Sequence, residues 1–207
     1  MALLFLLTLM FHGWLMPLPA WMPPEFPVVA KEMDFYREAD PWGYLEFVAV
    51  TRRYQIQILA TDRNSEWYKA VPSYFKGAMF VYDTPTIWVD GWNLQATDPG
   101  MTVAVLNHEL CHVLGRWHPE EQVRMEGIAA PTLDITNWRT WAEQEVYCSN
   151  VQLRVAKRLG SAAGVQFALD IAQAQLQWMP VERRQRFLET YGAWVELELW
   201  DAVRAAR

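Results

Sequence analysis

Cysteine and histidine are scarce in this chain, and each absence is informative. With only Cys111 and Cys148 among 207 residues there is no disulfide framework. The pair is left as two packed thiols, the preferred reading, as a single bridge, or, last, with Cys111 as a metal ligand. Runs of basic residues are missing too: 18 Lys and Arg stand against 24 Asp and Glu, a net charge of −6, which argues against nucleic acid as a partner. No apolar run reaches the roughly 20 residues that a helix needs to cross a hydrocarbon core. Repeats and low-complexity tracts are also lacking, and a hydrophobic content of 52% excludes a disordered or fibrous protein. Aromatics are plentiful instead. Twelve Trp and eight Tyr suit a well-packed core or a lined cleft in a domain of ordinary size.

The chain divides into a leader, a linker and one domain. Residues 2–11, ALLFLLTLMF, form an apolar run that His12, Pro17 and Pro19 interrupt. The run resembles a secretory h-region, with Leu18-Pro19-Ala20 as a small-residue cleavage site, although the first basic residue, Lys31, comes only afterwards. Residues 1–20 are therefore expected to be a signal-like leader or an anchor, making the protein secreted or tethered by its N-terminus. Any membrane contact is expected through that segment alone. Residues 21–30, WMPPEFPVVA, read as a proline-rich linker, and 31–207 as a single domain.

Within that domain, 31–60 mixes helical and strand signals, and YQIQILA at 54–60 has the alternation of a half-buried strand. In AMFVYDTPTIWVD, 78–90, two β-branched and aromatic runs flank Asp83-Thr84-Pro85, a strand–turn–strand pattern. Asp98 and Pro99 then supply an N-cap and a proline at the first helical position. The helix they open should run to about Leu114, burying Val103, Leu106, Leu110, Val113 and Leu114 on one face, with Gly115 as its stop. After Pro131 the pattern is helical at roughly 137–159, 162–178 and 181–204. The expected fold class is α+β: a small mixed β-sheet with a central helix at 31–130, then a helical part at 131–207.

Three of the four histidines fall on or just after that central helix, in His108-Glu109-Leu110-Cys111-His112 and at His118. A spacing of four sets His108 and His112 on one helix face with Cβ atoms about 5–6 Å apart. Two imidazole nitrogens can then converge on one Zn²⁺ at about 2.0–2.1 Å, while Glu109 reaches water as a general base. A catalytic zinc needs a third protein ligand. If Gly115 ends the helix at positive φ and Pro119 holds His118 extended, His118 can swing back toward the metal.

The string HELCHVLGRWH resembles the metzincin signature H-E-x-x-H-x-x-G-x-x-H at His108, Glu109, His112, Gly115 and His118. That resemblance implies a zincin-like zinc endopeptidase, in which a mixed sheet lies above the active-site helix. It further implies a methionine turn, for which Met125 is the candidate, and a substrate-binding strand edge, for which Thr86 to Asp90 is the candidate. Peptide or protein substrates and Zn²⁺ as cofactor follow from the same resemblance. An alternative keeps the helix pair but takes its third ligand from a later helix, as in gluzincin-type peptidases. Glu145 in Ala142-Glu143-Gln144-Glu145-Val146-Tyr147 is the better candidate there, and Glu143 the lesser. Tyr147 reads as a core residue before it reads as an oxyanion stabiliser. A last alternative is a non-catalytic, zinc-stabilised module that binds a partner protein; the presence of Glu109 speaks against it.

Overall fold

A computed structural model describes residues 26–61, 78–81, 84–90, 98–131 and 138–205. The leader and most of the linker expected at 1–25 lie outside the described residues, as does Asp83 of the expected turn. A short 3₁₀ turn, Pro27–Val29, leads into α1 (Ala30–Ala39) and α2 (Pro41–Arg53). Pro41 stands in the first turn of α2, and Asp40 caps it by accepting from the Gly43 N–H at 3.0 Å. The stretch with mixed signals is thus two helices, followed by strand β1 (Gln57–Ala60). The end of the expected linker is already part of the core: Phe26 and Val29 are buried, and the Phe26 and Phe47 rings meet edge-to-face.

Strands β2 (Ala78–Val81) and β3 (Thr86–Val89) sit on either side of the turn expected between them. The sheet order is β1-β3-β2, with β1 parallel and β2 antiparallel to β3. Ile58 pairs with Ile87, and Phe80 pairs with the same residue from the other side. The mixed character is as expected, but Thr86 to Val89 does not form an edge. Both of its sides are taken by neighbouring strands, so no substrate strand can add there.

The central helix is α3 (Pro99–Trp117), with Asp98 accepting from the Gly100 N–H at 3.1 Å. Helices α4 (Pro119–Glu126), α5 (Trp138–Arg158), α6 (Ala162–Leu176), α7 (Val181–Tyr191) and α8 (Leu197–Ala205) complete an α+β chain that is mostly helical. The last helix expected from sequence is two, α7 and α8. Asn150 on α5 fastens the break between them by accepting from the Glu196 N–H at 2.8 Å. From Thr102 to Leu114 every residue of α3 is buried. One face, with Val103, Leu106, Leu110, Val113 and Leu114, joins a core shared with α1, α2, the sheet and Val155 and Ala156 of α5. The opposite face packs on α5. Among the described residues no helix is long and apolar enough to cross a membrane.

Candidate metal centre

The seam between α3 and α5 holds the buried histidine pair of α3. Four residues apart on α3, His108 and His112 present their Nε2 atoms to one another at 3.0 Å. From α5, Glu145 reaches both: Oε2 stands 3.3 Å from His108 Nε2, and Oε1 stands 3.3 Å from His112 Nε2. All three residues are buried, and their donor atoms lie within 4.8 Å of one another. No other trio of His, Cys, Asp and Glu converges this way among the described residues.

The dimensions suit a metal ion. In a tetrahedron with bonds of about 2.0–2.1 Å, ligand atoms stand ~3.3 Å apart. The two nitrogens stand 3.0 Å apart, each has a different Glu145 oxygen at 3.3 Å, and one ligand atom from each residue lies within 4.8 Å of the others, a spacing that could hold an ion. Two imidazole nitrogens and one carboxylate are also the donor set of known catalytic zinc sites. Two ring nitrogens facing each other at hydrogen-bond distance need either a proton or a cation between them.

The electrostatics of the seam point the same way. Burial disfavours the charged form of His112, but the Glu145 carboxylate outweighs it and the ring's pKa is pushed up to about 9. Glu109 and Gln144 add to that rise. Burial also disfavours the ionised form of Glu145, yet the adjoining imidazoles hold its carboxyl far below the usual carboxylate range. Glu109 is buried next to His108 in the sequence of α3 and is not one of the converging trio.

His118 is placed elsewhere. Gly115 does not end α3; the helix continues through it to Trp117, and the left-handed glycines among the described residues are Gly127 and Gly160. His118 is instead the residue shared between α3 and α4, at φ −142° and ψ 57°. Pro119 does keep it out of the helical region, as expected. However, Pro119 also opens α4 at once, so the chain never turns back to the metal face. The His118 ring stacks on Tyr54 with centroids 3.7 Å apart. Glu145, the alternative third ligand, occupies the place expected of His118.

The remaining candidates resolve as structural. Met125 lies within helix α4 and packs against the core that holds Leu110 and Leu114, so it forms no turn. Glu143 accepts from Arg183 at 3.0 Å. The Tyr147 hydroxyl donates to the Ile128 carbonyl at 3.0 Å and its ring stacks on Trp194; burial pushes its pKa up, which suits a core tyrosine. Cys111 and Cys148 form a disulfide joining α3 to α5, against the preferred reading of packed thiols. Neither cysteine is then a metal ligand. Sequence reasoning missed Gln144, whose Oε1 lies 3.2 Å from His112 Nδ1. No periodicity marks a glutamine as the partner of a ring on another helix.

Compared with known proteins, the chain matches no family model, no curated protein and no solved structure.

Proposed function

We propose that the protein is a zinc-dependent peptidase of zincin-like fold with a gluzincin-type ligand set: His108 and His112 from α3 and Glu145 from α5. The observation that carries this reading is the buried convergence of His108, His112 and Glu145, with ligand atoms within 4.8 Å of one another, in a chain that has the His-Glu-x-x-His pattern. A zinc ion held there supplies a Lewis acid for the scissile carbonyl and lowers the pKa of water to about 7. Glu109 takes the proton of the attacking water on its carboxylate and passes it to the departing amine. Glu145, by lying against both imidazoles, neutralises one unit of the cation's charge. His108 and His112 serve as neutral ligands through Nε2.

Export or N-terminal tethering belongs to the same proposal. The Cys111–Cys148 bridge suits an oxidising compartment, the destination that the apolar leader implies.

Zinc content of the full chain tests the ligand set. Wild type is expected to hold one zinc per chain, Glu145→Ala to lose most of it, and His118→Ala to keep it. Loss in His118→Ala with retention in Glu145→Ala would overturn the set. A zinc-stabilised scaffold without activity is the competing reading, favoured by the burial of all three ligands. Wild type that hydrolyses no peptide in a broad peptide library, while loaded with zinc, would support it.

A further inference from the structure

Gly115 sits in the middle of a helical run and keeps a helical conformation, so neither a turn nor a positive φ accounts for it. Its surroundings do. A Cβ at this position would lie 2.7 Å from Gln144 Nε2 and 2.9 Å from Gln122 Oε1. Both glutamine side chains are buried, and both of those atoms are without a hydrogen-bond partner. The other end of the Gln144 carboxamide meets His112 Nδ1 at 3.2 Å. Gly115 lies one helical turn after His112, so the glycine and the ring are on the same side of α3 and one carboxamide spans both.

We infer that Gly115 and Gln144 together form a positioning device for His112. The missing side chain on α3 opens a slot, the Gln144 carboxamide fills it, and Oε1 accepts the His112 Nδ1–H. With the proton held on Nδ1, the lone pair of Nε2 is directed at the metal. Partners of this kind orient ligating histidines and raise their basicity. If a methyl group occupied the slot, the rigid backbone of α3 could not withdraw. The carboxamide would have to move, and it would leave the ring.

This inference rests on the proposed metal centre, and its test separates the two. Zinc affinity of the full chain is measured by competition with a chromophoric chelator, and ligand geometry by the visible spectrum of the cobalt-substituted protein. Gln144→Leu removes the acceptor and is expected to weaken zinc binding about 10- to 100-fold and to alter the cobalt spectrum. Gln144→Glu keeps an acceptor oxygen and is expected to restore both, which guards against a merely misfolded Leu variant. Gly115→Ala is expected to reproduce Gln144→Leu. In the Gln144→Ala background it should cost little further, because only the contact with the Gln122 side chain at 2.9 Å is then left to relieve. Wild-type affinity and spectrum in Gln144→Leu, or fully additive losses in the double variant, would overturn the positioning device while leaving the metal centre intact. A wild type that takes up neither zinc nor cobalt would overturn both.

Discussion

The two faces of α3 are equally buried and chemically opposite. Toward the sheet, Leu106, Leu110 and Val113 meet aliphatic and aromatic side chains of α1, α2, β1 and β3. Toward α5, the same helix presents His108 and His112 to Gln144 and Glu145. An apolar face is stabilised by removal from water and tolerates imprecise neighbours. A buried polar face is favourable only if each group meets its partner, and an unmatched charge there costs several kcal/mol. Burial therefore says little about purpose in this molecule. The identity of the facing residue separates the side that holds the fold from the side that can do chemistry.

That contrast can be broken from either side. The largest effect is expected at Glu109: Glu109→Gln should lower peptide hydrolysis about 100- to 10,000-fold. Its zinc content, measured on the same preparation, should match wild type. On the opposite face, Leu110→Ala should cost about 2–5 kcal/mol of stability in denaturant unfolding. The surviving folded fraction should bind zinc with unchanged affinity. Replacing Cys111 and Cys148 together by serine should cost about 2–5 kcal/mol by the same measurement. Here zinc affinity should fall as well, because the bridge lies within the polar seam.

The smallest effect concerns a second charged cluster, away from the metal. Burial opposes ionisation of Glu121, but Arg124 at 2.6 Å and the Tyr54 hydroxyl at 2.9 Å hold its pKa below the ordinary 4.5. A depressed carboxylate contributes stability that is present above its unfolded value and lost as pH falls through the folded one. Glu121→Gln should therefore flatten the acid limb of the stability curve below about pH 4.5 while changing little at higher acidity still. A thermal unfolding series across pH 2–7 checks this, and an acid limb as steep as wild type would refute it.

Much of this arrangement is legible in the residues themselves. Period 3.6 and the Asp98-Pro99 start mark α3, β-branched runs mark β2 and β3, and a spacing of four brings His108 and His112 together. These are local signals, carried by a few neighbouring residues. Gly115, His118 and Thr86 to Val89 mislead for the opposite reason. Gly115 is tolerated inside α3 because two glutamine side chains from other elements crowd it, a tertiary cause with no trace in local propensity. Pro119 restrains His118 as expected, but whether the chain next turns back or begins α4 depends on where α4 finds its packing. Strand order is likewise a long-range property, so the run at 86–89 could not announce that it would be central. Glu145 was within reach of sequence as an alternative, since an acidic residue on a helix beside aliphatic and aromatic neighbours suggests burial.

The disulfide has a further consequence. Cys111 and Cys148 are 37 residues apart, and the same interval separates His108 from Glu145, one helical turn earlier on each helix. The covalent tie and the ligand pairing therefore share a single register. Sliding α5 along α3 would have to break the bond before it could part the ligands. Such a cross-link would hold the proposed ligand set in place ahead of any ion. Metal uptake should then leave far-UV ellipticity unchanged on addition of zinc, in contrast to the coil-to-fold transition of a small zinc finger.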